Sequence, residues 1–572
     1  MKDGNESTVQ SVSNQQGSPP ASQVSLTALQ AYQDKFHSAE FSLEEAHQMV
    51  RMAAELGKSL ELAQWLSPRV ETKPLGVLAM ASCLLDIQRP GLAQKFILNA
   101  LTQLPVYVDL LSQFADYLTL NNEWRKAALL YESLTTYDPS DIQAHHRWRR
   151  AAYSAGDQKL HRYICQLAAQ RFPDVAFFGL EEIRSRIYHP DETRGKIHEA
   201  SLHWAETAFQ KSTPCHLETV VRRRPRIGFL GRFLHPMFLS PLLDYLDSSR
   251  FEVDLITNDP RASQISSGRI IPMPEGAFAE TRDFLRARGY DVLIEMTGQY
   301  PELQLMAERI APLQGSWICT NLTQGPYLSD FVIADPRLIP VSERHEWTEE
   351  IVDLPIWAPF RFHTHIPNDE TPAFERNGHI TFGACQRAMK FNVKTLAWWA
   401  EILNQTPKSR LLLKDKSFSD PMARRAMKER CGHAGLDITR VSFEGATPHP
   451  EYYEYYNRID ITLDTFPYAG GILTAESLWM GVPVITLEGD RFNSRLASSY
   501  LRAIQRPNWI SQSPEHYIQS ACELAASLDS IRAFRRSART EMMDSAIMDY
   551  EGFARAFEER LGAMLRRIPS AH

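Results

Sequence analysis

The feature that most constrains this chain is the stretch 464–487, which reads DTFPYAGGILTAESLWMGVPVITL. A short apolar strand leads into it, Gly470 and Gly471 make a turn, and a helix is expected from about Leu473. Gly-Val-Pro then ends the helix, and a second apolar strand covers 484–487. Strand, turn, helix and strand in this order predict a βαβ unit of a parallel sheet.

The same unit predicts an anion site at the turn. Glycines let the backbone approach a ligand closely, and the first turn of a helix presents free N–H groups to a negative charge. Glu476 stands one turn into the helix, where a carboxylate can accept hydrogen bonds from ribose hydroxyls. The pattern therefore indicates a site for a nucleotide diphosphate, while an ordinary βα turn with glycines for packing stays open as the simpler interpretation.

Length and composition set the class of protein. A chain of 572 residues is too long for one hydrophobic core, so we expect two or three domains. Its 44% apolar and 23% charged residues are typical of a soluble globular protein. A net charge of −7 and the lack of a long basic run argue against nucleic acid as a partner. The seven cysteines are scattered without a CxxC pair, which favours reduced thiols over disulfides or a zinc site.

Neither a membrane span nor an export signal is expected. The chain carries no apolar run long enough to cross a membrane. Residues 1–25 are rich in Ser, Gln and Asn and lack the apolar core of a signal peptide, so we expect them to form a disordered tail. Together with the scattered cysteines, these observations predict a cytoplasmic protein.

The N-terminal third carries an internal repeat. Pro105, Pro139 and Pro173 are spaced 34 residues apart, and Ala93 and Ala127 keep the same spacing. This period is that of tetratricopeptide helix pairs, which stack into an α-solenoid with a concave surface. We assign 26–221 to tetratricopeptide-like repeats, and a generic bundle of α-hairpins is the alternative. The array is expected either to bind a protein partner or to brace the rest of the chain.

The remaining two thirds predict two α/β domains. After the charged linker RRRPR at 222–226, apolar strands alternate with helical segments over 227–334 and again over 380–487. Such alternation is typical of parallel, doubly wound sheets. We place the two domains at 222–370 and 371–572, and the second includes the C-terminal helices.

The block 464–487 resembles the nucleotide-sugar signature of the protein O-GlcNAc transferase and SPINDLY-like family, DxFPYxGxTTTxEALWMGVPVxTL. The resemblance spans about 225–565. It includes VIADPRLIPVSERHEWTEEIVDLP at 332–355, which looks like the inter-domain segment of that family, and LNQTPKSRLLLK at 403–414. It implies a GT-B pair of Rossmann-like domains that face a cleft, fused directly to the helical repeats.

The resemblance also implies an activity. Family members are inverting glycosyltransferases that need no metal or other cofactor beyond the UDP-sugar donor, and the absence of a DxD pair agrees with this. The most direct expectation is transfer of GlcNAc from UDP-GlcNAc to Ser or Thr of a protein that the repeats bind. Glucosylation of Asn, fucosylation from GDP-fucose and an inactive scaffold remain alternatives.

Two catalytic residues follow from the resemblance. His235, in RFLHPMF, matches the family's His-Pro motif after the first strand, where it would act as a general base or orient the acceptor hydroxyl. Lys390, in CQRAMKFN, matches the lysine that grips the diphosphate and stabilises charge on the leaving UDP. Gln386 or Arg387 falls where the family has an amide that contacts phosphate.

Further positions are expected to bind the nucleotide sugar. Ala446 would lie beside the base, and His449 and Tyr452 could stack on uracil or simply cover a helix start. Thr323 and Gly325 match a loop near the diphosphate and the acceptor. The phosphate turn and the ribose acid consist of Gly470, Gly471, Ile472, Leu473 and Glu476. Because Ile472 and Leu473 replace a Thr-Thr pair of the family, two hydroxyl donors are missing from this turn.

Overall fold

The computed structural model describes residues 26–38, 40–70, 74–103, 106–209, 222–319, 321–362, 366, 369–448 and 451–568. The expected tail at 1–25 therefore lies outside the described residues. By its internal contacts the chain divides into two compact units, one of Met1–Asn121 with Lys126–Ala144 and one of Asn122–Arg125 with His145–His572. Among the described residues, no helix is both long and apolar enough to cross a membrane.

The N-terminal region is helical, as the repeat period predicts. Its helices are α1 (Leu26–Lys35), α2 (Leu43–Glu55), α3 (Ser59–Leu66), α4 (Pro74–Asp86), α5 (Pro90–Gln103), α6 (Val106–Leu120), α7 (Trp124–Tyr137), α8 (Ile142–Ser154), α9 (Gln158–Arg171), α10 (Ala176–Arg186) and α11 (Arg194–Phe209). Helices α5, α7 and α9 begin 34 residues apart, which confirms the tetratricopeptide-like spacing.

The same period appears in the backbone of the turns. Gln88, Asn122 and Gly156 follow one another at intervals of 34 residues, and all three have positive φ angles, of 60°, 63° and 68°. A residue in the left-handed region closes a helix by turning the chain at its C-terminal end. Ala93 and Ala127, also 34 apart, are buried, as expected for sites where neighbouring helices leave room only for a small side chain.

Seven strands of the described chain form the first parallel sheet, in the order β3-β2-β1-β4-β5-β6-β7. They are β1 (Arg226–Leu230), β2 (Glu252–Ile256), β3 (Arg269–Ile271), β4 (Val292–Glu295), β5 (Leu313–Ser316), β6 (Phe331–Ala334) and β7 (Glu350–Asp353). Helices α12 (Pro236–Leu243), α13 (Phe278–Arg288) and α14 (Tyr300–Ala307) connect them. Strands β4, β5 and β6 are buried at every position, as expected where crossover helices cover both faces of such a sheet.

Within the described ranges, six strands form the second parallel sheet, in the order β10-β9-β8-β11-β12-β13. They are β8 (Thr381–Cys385), β9 (Arg410–Lys414), β10 (Val441–Glu444), β11 (Ile461–Leu463), β12 (Val484–Leu487) and β13 (Ile510–Ser511). The helices around them are α15 (Ala373–Asn377), α16 (Val393–Gln405), α17 (Pro421–His433), α18 (Glu454–Asn457), α19 (Ile472–Trp479), α20 (Leu496–Ala503), α21 (Pro514–Ala526) and α22 (Leu528–Met543). The predicted βαβ unit is β11-α19-β12, and its two strands pair in parallel.

The last helix, α23 (Tyr550–Leu565), packs against the first sheet although the sequence interpretation assigns it to the second domain. Phe553 stacks on Trp317 with ring centroids 5.9 Å apart. Glu558 accepts a hydrogen bond of 2.7 Å from the backbone N–H of Asp247. The chain therefore returns to the first α/β domain at its C-terminal end, while the domain boundaries themselves stay predictions.

Helices α9 to α11 and the C-terminal part of α8 belong to the same compact unit as both sheets. Ser201 of α11 donates a hydrogen bond of 2.6 Å to the carbonyl of Thr323. Arg194, at the start of α11, forms an ion pair of 2.6 Å with Glu346. Arg491 donates to the carbonyl of His189 at 3.1 Å. These contacts make the last helices of the repeat region a wall of the α/β part.

Candidate active site

The turn between β11 and α19 is built around Asp464, the first residue after the strand. Its Oδ1 atom accepts a hydrogen bond of 2.8 Å from the N–H of Gly470. A Cβ atom at Gly470 would lie 2.4 Å from Nε2 of Gln386, so any larger residue there would displace the side chain of Gln386. The next N–H groups, those of Gly471, Ile472 and Leu473, have no acceptor in the part of the chain that the structure describes. The turn therefore presents free donors, as an anion site requires.

Trp357 adds a side-chain donor beside this turn. A Cβ atom at Gly471 would lie 3.4 Å from Cζ2 of Trp357, the ring carbon next to the one that bears the indole nitrogen. Trp357 is only 4% exposed, and its Nε1 has no hydrogen-bond partner among the described residues. An unpartnered buried N–H is costly, so this group marks a place where a ligand atom would be stabilising. Sequence reasoning missed Trp357 because it belongs to a segment distant from the turn.

Lys390 lies beside the turn and is buried. Its Nζ donates to the carbonyl of Ala469 at 2.9 Å and to Oε1 of Gln386 at 3.1 Å, and it stands 4.0 Å from the ring centroid of Tyr468. Burial lowers the pKa of Lys390 to about 7, against the opposing effect of the Asp464 carboxylate. None of the described carboxylates forms an ion pair with this lysine. A bound anion would supply the missing counter-charge.

The structure separates Gln386 from Arg387, which the sequence leaves as alternatives. The side chain of Gln386 is buried between Lys390 and Asp464, with its Nε2 atom 3.3 Å from Oδ1 of Asp464. Arg387 is exposed, and its Nη1 donates to the hydroxyl of Tyr153 at 3.2 Å. Of the two, Gln386 is therefore the amide that stands next to the lysine.

Glu476 is buried and carries a cap of three tyrosine hydroxyls. Tyr452 donates to Oε2 at 2.8 Å, Tyr456 to the same atom at 3.1 Å, and Tyr453 to Oε1 at 3.4 Å. Burial raises the pKa of Glu476 to about 7, although the three hydrogen bonds favour the carboxylate. Tyr452 thus covers the start of α19 by binding the acid, which is one of the two roles that the sequence leaves open for it.

The loop after β10 carries Ala446, which is exposed. Its N–H donates to Oγ of Ser419 at 3.0 Å and is therefore already used within the protein. The loop is held by Lys414, whose Nζ donates to the carbonyl of Gly445 at 3.1 Å and to Oγ1 of Thr447 at 2.9 Å. His449, the other candidate for the base, lies outside the described residues.

Thr323 and Gly325 pack against the helical wall. The hydroxyl of Thr323 is buried and donates to Oε2 of Glu349 at 2.7 Å. Gly325 has φ of +76°, and a Cβ atom there would lie 2.6 Å from Cβ of Ala205 in α11. Asn321, in the same loop, forms a hydrogen bond with Tyr468 in the turn between β11 and α19. The role of Thr323 and Gly325 near the diphosphate stays a prediction.

His235 caps α12 at the carboxyl end of β1. Its Nδ1 accepts a hydrogen bond of 3.3 Å from the N–H of Met237. A neutral imidazole with an accepting Nδ1 carries its proton on Nε2, so in this arrangement Nε2 is a donor. His235 thus uses Nδ1 as an acceptor within the protein, and its catalytic role stays a prediction.

Two tyrosines of the helical wall line the same region, and sequence reasoning missed both. The hydroxyls of Tyr153 and Tyr188 are 3.2 Å apart, and the ring of Tyr188 lies 5.4 Å from that of Tyr468, which contacts Lys390. Their positions in the repeat gave no hint of this role, because the repeat period explains them as packing residues.

Comparison with known proteins agrees with this architecture. Residues 376–557 match the sequence model of Glycosyl transferase family 41. The chain is 29% identical over 422 residues to the probable UDP-N-acetylglucosamine–peptide N-acetylglucosaminyltransferase SPINDLY of Solanum lycopersicum, which covers 69% of this chain and 45% of that protein. The rice protein of the same description is 34% identical over 286 residues, covering 48% of this chain and 30% of the relative. The chain thus spans less than half the length of these relatives.

A solved structure extends the match over most of the chain. It is a mutant of the O-GlcNAc transferase from Thermobaculum terrenum, with a TM-score of 0.74 and 25% sequence identity. The match covers 87% of this chain and 98% of that one, so it includes helices of the N-terminal region as well as both sheets. Residues 376–557 are thus similar to family 41 glycosyltransferases, and over most of its length the chain is similar to an O-GlcNAc transferase.

Proposed function

We propose that this protein transfers a sugar from a nucleotide diphosphate to a protein, with GlcNAc from UDP-GlcNAc as the first candidate and Ser or Thr as acceptor. The observation that carries the proposal is Lys390, a buried ammonium group without a carboxylate partner among the described residues, beside the free N–H groups at the start of α19. Both features face the place where a leaving diphosphate would gain negative charge. The names of the relatives support the choice of donor.

In the proposed reaction the acceptor oxygen attacks the anomeric carbon on the face opposite the diphosphate. The bond from that carbon to the phosphate oxygen breaks, its electrons remain on the diphosphate, and the configuration inverts. Lys390 and the N–H groups of Gly471 to Leu473 stabilise this charge. The Nε1–H group of Trp357 supplies one hydrogen-bond donor in place of the two hydroxyl donors that the Thr-Thr pair would provide. His235 orients the acceptor hydroxyl, whose proton passes to water.

We further propose that the ribose hydroxyls bind Glu476 by taking the place of tyrosine hydroxyls. Tyr452 and Tyr456 both donate to Oε2, the oxygen that a ribose hydroxyl would need. Exchange of one donor for another keeps the buried carboxylate hydrogen-bonded. Displacing a tyrosine hydroxyl in this way therefore costs less free energy than leaving the carboxylate without a donor. Uracil would then lie near the Ala446 loop.

The positive charge needed at the diphosphate comes from Lys390 and the α19 turn, so we propose that the reaction needs no metal or cofactor. The acceptor protein is proposed to bind along the helical repeats, in the cytoplasm. A reaction that stops in a metal chelator such as EDTA, and resumes with added divalent metal, would contradict the first of these statements.

The proposal is tested by calorimetric titration of the whole protein with UDP and, separately, GDP. We expect UDP to bind and Lys390→Ala to weaken it by about tenfold or more. Lys394→Ala is the matched control, because Lys394 is an exposed lysine on α16 that pairs with Asp191 at 2.6 Å. Sugar transfer is then followed by intact mass of candidate acceptor proteins. If neither nucleotide binds, the protein is an inactive scaffold.

A further inference from the structure

Three cations meet at the edge of the candidate active site, and we call them the rim cluster: Arg150 of α8, Arg387 after β8 and Lys416 after β9. All three are exposed. The guanidinium of Arg387 lies 5.6 Å from the ring centroid of Tyr153, one helical turn after Arg150. Partial desolvation and the charges of Arg387 and Arg150 lower the pKa of Lys416, against the effect of Asp415, which reflects how close the three charges are.

The backbone under the rim cluster is fixed. The turn between α8 and α9 contains Gly156, where a Cβ atom would lie 2.5 Å from Cβ of Ala388 and 3.4 Å from Oγ of Ser417. Arg430 donates from both terminal nitrogens to the carbonyl of Gly156, at 3.2 Å each. Ala388 follows Arg387 and Ser417 follows Lys416, so this close packing sets the positions from which two of the cationic side chains project. The cluster is therefore largely arranged before any ligand binds.

No carboxylate of the described chain forms an ion pair with any member of the rim cluster. Asp415, whose charge raises the pKa of Lys416 and Arg387, uses its Oδ1 to accept the N–H of Ser417 at 2.9 Å. By contrast, Arg125 at the start of α7 is paired with Asp157 at 2.6 Å. Like charges held together without a counter-ion repel one another, and a bound anion would remove that cost.

We propose that the rim cluster binds an acidic segment of the acceptor polypeptide, and this inference rests on the proposed transferase function. The buried groups Lys390, Gln386 and Glu476 suit the donor, whereas the rim cluster is exposed and is partly supplied by the helical region. It is linked to the donor side through the hydroxyl contact of Tyr153 with Tyr188. In a protein of net charge −7, such a local positive patch attracts a polyanion that the rest of the surface repels.

The anionic groups of such a segment are side-chain carboxylates or phosphates of modified residues. Both carry negative oxygens that accept hydrogen bonds from guanidinium and ammonium groups. The exposure of the three cations leaves room for a chain that passes over them, and their spread over three elements suits several anionic side chains better than one. The expected preference is therefore for Ser or Thr sites with acidic residues close in sequence.

The test is fluorescence anisotropy of labelled peptides with the full chain, in three versions of one Ser- and Thr-containing sequence. One version is flanked by Asp and Glu, one by Asn and Gln, and one by phosphoserine. We expect the Asp/Glu peptide to bind about tenfold tighter than the amide peptide at low salt, with a smaller difference at high salt. Stronger binding of the phosphoserine peptide would identify phosphate as the preferred anion and would equally support the rim cluster.

Variants test whether the rim cluster causes the preference for the acidic peptide. Arg150→Gln and Lys416→Gln should each weaken the acidic peptide about threefold to fivefold, and the double variant about tenfold, with no effect on the amide peptide. Arg555→Gln, which removes an exposed charge from α23, is the control for net charge. UDP affinity, measured by calorimetry, should stay unchanged in all of these variants.

Two outcomes would overturn the proposal. Equal binding of the acidic and amide peptides by a protein that still binds UDP would remove the rim cluster as a binding site and leave the transferase function standing. A loss of UDP affinity in Lys416→Gln or Arg150→Gln, without a change in peptide affinity, would assign the cluster to the donor. Failure of the unmodified protein to bind UDP would instead count against the transferase function, whatever the peptides show.

Discussion

The hydroxyl of Tyr452 donates to Oε2 of Glu476 at 2.8 Å, so the acid expected to hold the ribose is already bound by the protein itself. Tyr453 and Tyr456 add further hydrogen bonds to the same carboxylate. This arrangement keeps a buried acid satisfied in the absence of nucleotide, so the proposed binding of a ribose hydroxyl would be an exchange of one donor for another.

The first prediction concerns this exchange. Tyr452→Phe removes the shortest of the three hydrogen bonds and leaves Oε2 with Tyr456, so a ribose hydroxyl has less to displace. We expect UDP to bind about twofold to threefold tighter to this variant. Glu476→Gln should bind at least about tenfold more weakly, because the charged acceptor is lost. A tenfold loss of UDP affinity in Tyr452→Phe would show instead that the tyrosine contacts the nucleotide.

The second prediction is a pH dependence of donor binding. Burial holds the pKa of Lys390 at about 7, and a bound diphosphate raises it, so above pH 7 binding requires uptake of a proton. Affinity for UDP-GlcNAc, whose diphosphate does not titrate near neutral pH, should therefore fall by up to about tenfold per pH unit above 7.

Two variants test whether Lys390 causes the loss of UDP-GlcNAc affinity above pH 7. Lys390→Arg should abolish it, since a guanidinium stays protonated throughout the range. Glu476→Gln should keep it, because the lysine is unchanged. An identical decline in Lys390→Arg would mean that another group titrates, and calorimetry between pH 6 and pH 9 distinguishes the two results.

The third prediction concerns stability. Burial raises the pKa of Glu476 to about 7, above its ordinary value of 4.5, so the folded state holds its proton to higher pH than the unfolded state. The free energy of unfolding therefore falls by an amount on the order of 3 kcal/mol as pH rises from 4.5 to about 7. Above that pH this contribution is constant. Glu476→Gln lacks this titration, so its Tm relative to the unmodified protein should increase between pH 5 and pH 8. A constant Tm difference would contradict the raised pKa of the buried Glu476 carboxyl group.

The fourth prediction separates a ligand-binding indole from a structural one. Trp357→Phe removes an Nε1 proton that has no partner among the described residues, so its effect on Tm should be small, whereas UDP-GlcNAc affinity should fall about threefold to tenfold. Trp317→Phe is the matched control, because its Nε1 donates to the carbonyl of Trp357 at 2.7 Å. That variant should lose more in Tm. Unchanged affinity in Trp357→Phe would remove the indole from the site.

Features that depend on local chemistry were predictable from the sequence. For most ends of the strands and the helix in the βαβ unit, the predicted and observed positions differ by no more than one or two residues. The second strand has the predicted bounds, 484–487. The repeat period was visible in the prolines and alanines, and the left-handed turns at Gln88, Asn122 and Gly156 follow the same period. Each of these rests on residues close together in the chain, where glycine, proline and apolar spacing act directly on the backbone.

Features that depend on distant parts of the chain were not predictable. Strand β3 is only three residues long and has no apolar alternation, and β7 lies in a segment read as a domain connection. Trp357, Tyr153 and the choice between Gln386 and Arg387 were decided by packing between elements far apart in sequence. The motif identified His235, but only the structure shows that the N–H of Met237 donates to its Nδ1 atom.

The last prediction tests the glycine turn itself. In Gly470→Ala the new Cβ would lie 2.4 Å from Nε2 of Gln386 and 2.5 Å from Oγ1 of Thr474, so Gln386 must leave its place between Lys390 and Asp464. We expect UDP affinity to fall by about tenfold or more, with a modest drop in Tm.

Its control is Gly432→Ala in α17, where the nearest atom to a new Cβ is 3.8 Å away. Alanine there should raise stability by about 0.5–1 kcal/mol, as it does in the interior of helices, and should leave UDP binding unchanged. If Gly470→Ala bound UDP as well as the Gly432→Ala control, the approach of the backbone to the diphosphate would not depend on this glycine. The free N–H groups of α19 would then have to act without the support of Gln386.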